Sequence, residues 1–196
     1  LPHIPADKIT DTDRAMIQNE AYFLRGYYHM KLLLNWEQIV IRDKYISSVA
    51  ELDKPLSTRA EAWDFIINNF KKATALPANR TSETVGRATQ GAAYAYLGWA
   101  HLTRAYEETG RKDASLNAAV EALNRVTGYE MVKELRTLFD GTNKNSKESI
   151  FEIQLTLSTA NGARYRTQLH RFIGCSELQG WDEVLPTDLP IQAYQK

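Results

Sequence analysis

Aromatic residues outside the helical patterns are the groups in this sequence best suited to binding a ligand. A flat ring stacks against the C–H face of a pyranose sugar, while nearby amide and charged side chains bond the sugar hydroxyls. Most Tyr, Phe and Trp residues fall at helical spacing and are predicted to be core. Trp36, Tyr165 and Trp181 lie in predicted loops instead. These three are the candidate ligand-binding residues.

Residues that could catalyse a reaction form no recognisable site. Acidic residues are adjacent at Glu107–Glu108 and at Asp182–Glu183, and neighbours on a helix point to different sides. We predict solvated surface charges, because a glycosidase pair must face each other across a sugar at about 5–10 Å. No G-x-S-x-G motif occurs, and Cys175 lacks an activating motif. The sequence therefore predicts that the protein is not an enzyme.

Histidine, glycine and arginine residues also favour structural roles. His29 and His101 lie in apolar helical patterns without H-E-x-x-H spacing, so we predict core histidines and no metal site. Gly86 and Gly91 are spaced as in a phosphate-binding loop, but alanine follows where that loop requires lysine. We predict a glycine turn before a helix, and no organic cofactor. Arg25, which lies among aromatic residues, is predicted to make an internal ion pair.

The composition narrows the class of protein. The 196 residues include 24 Lys and Arg against 24 Asp and Glu, with 43% hydrophobic residues and one cysteine. Such a mixture is typical of globular proteins. A net charge of zero argues against a nucleic-acid partner, which a positive field would attract. No apolar run approaches the roughly 18 residues of a membrane-spanning helix.

The spacing of hydrophobic residues predicts four helices, which would have to position the candidate binding residues. The predicted ranges are about 13–35, 59–75, 89–108 and 113–127. The capping candidates are Thr10, the T-x-x-E pair Thr58 and Glu61, and Thr89. The first helix should bury a stripe at every third or fourth position, namely Met16, Phe23, Tyr27, Met30 and Leu34.

The third and fourth predicted helices should form a closely packed hairpin. One face of the third helix carries mostly small residues: Gly91, Ala95, Gly98, Leu102 and Ala105. Gly110 is the predicted left-handed terminator between the helices, and Gly128 should end the fourth. The fourth helix should bury Leu116, Ala119, Val120, Leu123 and Val126. Beyond it, alternation at Phe151, Ile153, Leu155 and Leu157 predicts a minor β element near 148–157.

The third helix also contains a repeat signature. Tyr94, Leu97, Gly98 and His101 fit the tetratricopeptide opening W-x-x-L-G-x-x-Y, with an aromatic first and a flat imidazole last. The chain is therefore predicted to be mostly α, built from TPR-like helical hairpins. A regular 34-residue repeat is not present beyond this unit.

Five sequence blocks in order resemble the SusD/RagB family of outer-membrane nutrient-binding lipoproteins. The first, EAYFLRGYYHMKLL, is similar to that family's E-A-x-x-L-R-A-x-Y-Y helix. In GRATQGAAYAYLGWAHL the family's G-R-a-t-k-x-A-A pattern is visible. The remaining blocks are RAEAWDFIINNFKKATALP at 59–77, SKESIFEIQLT at 146–156 and LPTDLPIQAYQ at 185–195.

The resemblance implies a fold and a function. It implies a SusD-like right-handed superhelix at 1–157, followed by a loop-rich segment at 158–196 leading into a C-terminal portion absent from this sequence. It further implies non-catalytic binding of an oligosaccharide or similar nutrient at the cell surface, and delivery to a SusC-like TonB-dependent transporter. Membrane contact would be through an N-terminal lipid anchor that this sequence does not contain. The alternative is a TPR-type scaffold for protein–protein interaction.

Overall fold

Four helices form the framework of the described chain. The structure, a computed structural model, describes residues 5–79, 81, 84–155, 169–181, 183 and 192. The chain divides into two units, Leu1–Glu152 and Ile153–Lys196. The first contains α1 (Asp11–Asn35), α2 (Arg59–Ala73), α3 (Gln90–Glu107) and α4 (Lys112–Leu123), and the second contains the short α5 (Leu169–Ile173). Single 3-10 turns lie at Ala6–Lys8, Val49–Glu51, Thr109–Arg111, Leu135–Leu138 and Ser176–Leu178. The predicted mostly helical, hairpin-based fold is confirmed.

Three of the helices begin at threonine caps. The Thr10 hydroxyl accepts a hydrogen bond from the Asp13 N–H, and the Thr89 hydroxyl accepts one from the Ala92 N–H. Thr58 and the helix residue three positions later form the complete capping box that their spacing predicted. Each cap satisfies an N–H group that the first helical turn leaves unpaired, so local sequence fixes where these helices start.

The core lies where α2 packs against both α1 and α3. Its largest fully buried side chains include Phe23 and Met30 of α1 and Trp63, Ile66 and Phe70 of α2. The Phe23 ring lies 5.8 Å from that of Phe70 and 4.9 Å from that of Phe151, measured between centroids. Edge-to-face and tilted contacts of this kind add to the free energy gained by burying the rings.

The buried face of α1 differs from the predicted stripe. Leu33 is buried and Leu34 is exposed, and Gly26 and His29 join the buried set. The reason is the partner helix: a Cβ on Gly26 would lie only 3.0 Å from the Phe70 ring. The missing side chain lets α2 approach α1 along a line that the spacing of apolar residues alone does not reveal.

The predicted close contact between α3 and α4 is confirmed, with corrections at its edges. A Cβ on Gly98 would lie 2.6 Å from Leu123 Cγ, so glycine is needed there. Leu102, Val120 and Leu123, all predicted to be buried, are exposed. Gly110 lies in a 3-10 turn without a left-handed φ. The fourth helix ends at Leu123, before Gly128, whose φ is +87°.

The predicted β element is wrong for the residues that the structure describes. No strand forms over 148–155, and 156–157 lie outside the described residues. A strand needs a neighbour to bond its backbone, and the preceding segment offers single contacts, such as the Glu130 N–H to the Lys147 carbonyl at 3.1 Å. Phe151 is held by core rings, whereas Ile153 and Leu155 are exposed. At the described positions, the alternating pattern therefore reflects the packing of the Phe151 ring and not a β-strand.

Candidate functional site

The connection between α1 and α2, residues 36–58, is a long loop with a defined conformation. We call it the α1–α2 loop. It contains the predicted binding residue Trp36 at its start. Ile39 is buried, and its carbonyl accepts hydrogen bonds from both the N–H and the hydroxyl of Ser57, each at 2.8 Å. These two bonds hold the beginning and end of the loop together.

The side chains of Arg42 and the buried His29 hold the middle of the loop. The Arg42 guanidinium donates to the carbonyls of Glu51 at 2.9 Å and Leu52 at 2.5 Å. The backbone N–H of Arg42 donates to Nε2 of His29 at 3.0 Å. Because Nε2 accepts, the proton of the neutral imidazole lies on Nδ1, which is 2.8 Å from the Arg25 carbonyl. Burial lowers the pKa of His29, which favours this neutral form.

Arg25 ties the same loop to α2. Its guanidinium donates to Oδ1 of the buried Asn69 at 2.8 Å and to the Asp43 carbonyl at 2.5 Å. The prediction of an internal ion pair is wrong, because both acceptors of Arg25 are uncharged oxygens. The side chain is internal, as expected, and its role is to position the loop.

The loop presents aromatic rings to solvent. Tyr45 is 87% exposed and Trp36 is 59% exposed. Around Tyr45 lie charged groups in defined pairs: Asp43 with Lys54 at 3.1 Å, and Lys44 with Glu51 at 3.6 Å. A projecting ring beside hydrogen-bonding groups is suited to a sugar, which offers an apolar face and hydroxyls.

The acidic groups of this surface are ionised at neutral pH. A hydrogen bond from Lys54 lowers the pKa of Asp43, and a hydrogen bond from the Ser47 backbone lowers the pKa of Glu51. Both carboxylates are therefore hydrogen-bond acceptors for a hydroxyl ligand. Our sequence criterion missed Tyr45, although it is an aromatic residue outside any helical pattern and that signal could have identified it.

A charged cluster fixes the point where the loop leaves α1. The Arg59 guanidinium donates to both carboxylate oxygens of Glu107, at 2.7 and 2.6 Å, and to the Trp36 carbonyl at 3.1 Å. Trp63 Nε1 donates to the same carboxylate at 2.6 Å. Burial opposes ionisation of Glu107, but these hydrogen bonds outweigh it and lower its pKa. The prediction of solvated surface charges is therefore wrong for both Glu107 and Glu108. The Glu108 carboxylate accepts a hydrogen bond from Arg104 Nε at 2.9 Å.

The other predicted binding residues lie in the second unit. Trp181 is 45% exposed, and its ring packs edge-to-face on Phe172 at a centroid distance of 4.9 Å. The backbone N–H of Trp181 donates to the Arg171 carbonyl at 2.6 Å. Tyr165 lies outside the described residues. The structure thus describes Trp36 and Trp181 in separate units.

The glycine pair resembling a phosphate loop has a packing role at Gly91. A Cβ there would lie 2.6 Å from the Tyr129 ring, whose hydroxyl is 2.9 Å from that of Thr89. Gly86 has a left-handed φ of +85°. Gly86, Thr89 and Tyr129 line a cleft of about 190 Å³ together with Arg87. The glycines therefore make a turn and admit a tyrosine ring, in agreement with the predicted turn.

Among the residues that the structure describes, no group of three or more His, Cys, Asp or Glu side chains is arranged to hold a metal ion. No described helix combines the length and apolarity needed to cross a lipid bilayer.

Comparison with known sequences identifies the family. The sequence model of a SusD-like family, described as starch-binding and associating with the outer membrane, matches residues 2–102. The chain belongs to this SusD-like family. The matched segment contains α1, α2, the whole α1–α2 loop and most of α3. No curated protein sequence matches the chain.

Solved SusD-like structures share its fold. A SusD-like protein from Bacteroides fragilis is 28% identical, with a TM-score of 0.62 over 79% of this chain and 30% of its own. A SusD superfamily protein from Bacteroides vulgatus is 26% identical, with a TM-score of 0.71 over 94% of this chain and 38% of its own. A laminarin-binding SusD-like protein is 19% identical, with a TM-score of 0.70 over 84% and 36%. The chain spans about a third of the length of these proteins.

Proposed function

We propose that this chain is part of a non-catalytic SusD-like protein that binds an oligosaccharide at the cell surface, with the α1–α2 loop forming part of the binding surface. The observation that carries the proposal is Tyr45, which projects from a loop fixed by side-chain hydrogen bonds within the segment matched to the family. The SusD-like family is described as starch-binding, and one structural neighbour as laminarin-binding.

The anchoring of the loop favours binding. A side chain or loop that must become ordered on association reduces affinity, whereas a preformed surface avoids that cost. Hydrogen bonds from Arg42 and Arg25 already fix the backbone on both sides of Tyr45. A sugar stacking on this ring would bury apolar surface that is now in water.

The proposal extends to partners and location. The bound oligosaccharide would pass to a SusC-like TonB-dependent outer-membrane transporter, and the full-length protein would be held at the outer membrane by an N-terminal lipid anchor. The family's association with the outer membrane supports this assignment. The helical residues 1–157 would supply the framework, and the loop-rich residues 158–196 would lead into the rest of the protein.

Affinity electrophoresis and calorimetry with starch and laminarin test the binding surface on the full-length protein. We expect Tyr45→Ala to weaken glycan binding about tenfold, equivalent to about 1.4 kcal/mol. Tyr106→Ala is the matched control, because Tyr106 is an exposed tyrosine on α3; it should bind like wild type. Equal affinities for the Tyr45 variant and wild type would contradict the role of the loop.

The same assay ranks the other proposed contacts and tests turnover. Trp36→Ala and Trp181→Ala should each weaken binding with little change in melting temperature, as should Tyr165→Ala. Incubation of wild type with the same glycans should release no shorter product. Product release would show an enzyme. Failure to co-purify with a TonB-dependent transporter from outer membranes would contradict the proposed delivery.

A further inference from the structure

A second cleft, separate from the α1–α2 loop, opens between α2, α3 and α4. Its volume is about 260 Å³. The polar residues that line it are Lys71 from α2, Tyr94 and His101 from α3, Glu121 from α4 and Arg125 just beyond α4. This volume is slightly below the range of about 300–1,000 Å³ of drug-sized pockets. The cleft therefore has room for a ligand of about one sugar ring.

The charged side chains of this cleft have no ion-pair partner within the described part of the chain. Other charged residues of the same helices are paired, such as Arg104 with Asp64 and Glu108. By contrast, Lys71, Glu121 and Arg125 form no salt bridge with another described residue. Arg125 places its guanidinium 5.9 Å from the centroid of the Tyr94 ring. Among the described residues, two cations and one carboxylate without an ion-pair partner thus line a single concave surface.

His101 adds an unsatisfied polar group to the same wall. Its side chain is more than nine-tenths buried, yet Nδ1 has no hydrogen-bond partner. Burial, with the positive charges of Lys71 and Arg104, lowers the pKa of His101 to about 4. The neutral imidazole has one nitrogen that donates and one that accepts. A buried imidazole of this kind suits a ligand with hydroxyl groups better than a simple ion.

We propose that the α2–α3–α4 cleft binds a sugar acid, a monosaccharide unit that carries one carboxylate. Lys71 and Arg125 would hold the carboxylate, Glu121 and His101 would bond the hydroxyls, and Tyr94 would contact the ring. This inference rests on the proposed glycan-binding function and names a second surface for it.

The combination of charges and hydrogen-bonding groups selects this class among anions. A sulfate is attracted by the two cations, but it has no hydrogen to donate to Glu121, which repels it. A sugar acid brings a carboxylate for the cations together with hydroxyls that donate to Glu121. A peptide C-terminus offers the carboxylate without a set of hydroxyls for Glu121 and His101. The sugar acid therefore uses all the polar groups of the cleft.

Calorimetric titration of the full-length protein with sodium glucuronate at pH 7 tests the inference. Glucose, sodium acetate, sodium sulfate and an N-acetylated tripeptide serve as comparison ligands. Lys71→Met and Arg125→Met should each weaken glucuronate binding about tenfold, as expected for losing one charge-assisted hydrogen bond. Lys72→Met is the matched control, because this lysine is adjacent in α2 but lies over the Tyr22 ring. It should remain within about twofold of wild type.

Nuclear magnetic resonance supplies a second readout, since the ring nitrogen signals of His101 should shift when glucuronate binds. Equal binding by wild type and the Lys71 and Arg125 variants would overturn the inference. Tighter binding of acetate, sulfate or the tripeptide than of glucuronate would also overturn it.

The outcomes separate this inference from the proposed function. If starch or laminarin binds but glucuronate does not, the cleft inference fails while the proposed function stands. If glucuronate binds in a Lys71-dependent manner and no neutral glycan binds, the cleft is supported and the proposed site on the α1–α2 loop fails. Absence of both binding activities overturns both.

Discussion

The helix α2 and the α1–α2 loop before it are stabilised in opposite ways. Almost half of α2 is buried, including Trp63 and Phe70, and apolar contacts hold it. In the loop, Ile39 is the one buried residue among 36–58. Hydrogen bonds donated by Arg25 and Arg42, and one accepted by His29, hold the backbone. Apolar burial stabilises the core as a whole, whereas each hydrogen bond fixes the backbone at one position of the loop. The loop should therefore be released locally without unfolding the helices.

The largest effect is expected in α2. Trp63→Ala should lower the free energy of unfolding by about 3–5 kcal/mol, because it opens a cavity in the core and removes a hydrogen bond to Glu107. Urea unfolding followed by circular dichroism measures this. Trp99→Ala removes an exposed tryptophan from α3 and should cost about 1 kcal/mol or less. Equal losses for the two variants would contradict the comparison.

An intermediate effect is expected at the contact between α3 and α4. Gly98→Leu should destabilise the protein by about 1–3 kcal/mol, because the new side chain would overlap Leu123. The control is Gly110→Ala, at a glycine with open space around its missing Cβ. Thermal unfolding should leave the control close to wild type, and an unchanged melting temperature for the Gly98 variant would remove this glycine from the helix contact.

The smallest global effect is expected for the polar support of the loop. His29→Phe removes the acceptor of the Arg42 N–H and should cost about 1–2 kcal/mol. Hydrogen exchange should show reduced protection of the Arg42 amide, while amides in the middle of α2 keep nearly the protection of wild type. Equal loss of protection in the loop and in α2 would show that the two regions unfold together.

Lowering the pH should destabilise the α1–α2 loop of the wild-type protein, as His29→Phe does. The pKa of His29 lies below its ordinary value of 6.5 in the folded protein, so the unfolded chain binds more protons. Its contribution to stability is therefore present above about pH 6.5 and is lost as the pH falls. The protonated Nε2 also cannot accept from Arg42. Protection of that amide, corrected for intrinsic exchange, should fall between pH 7 and pH 5 in wild type and change less in the variant.

The sequence predicted what local chemistry determines and missed what distant contacts determine. The helices and the caps at Thr10, Thr58 and Thr89 depend on neighbours a few residues away. The ionised but half-buried state of Glu107 depends on Arg59, 48 residues earlier. A period-two pattern specifies a strand only when a partner strand is present, which explains the incorrect β element.

The candidate site followed the same division. An aromatic residue in a predicted loop is visible in the sequence, and this criterion found Trp36, which is exposed as expected. The support of the loop is not visible, because it joins His29 to a backbone N–H and Arg25 to a backbone carbonyl. Backbone groups carry no residue-specific signal, so these contacts required the structure.

The position of Arg59 has a consequence for how this site could diversify. Its guanidinium bonds three carbonyls at the end of α1, those of Leu33, Trp36 and Glu37, so the helix terminates without a glycine. All three carbonyls accept from Nη1, while Nε and Nη2 donate to Glu107, a division of donors that lysine cannot reproduce. The exit from α1 is thus determined from outside the connecting segment, and natural selection could exchange the residues between Ile39 and Ser57 for others of different length while the three-helix framework stays intact.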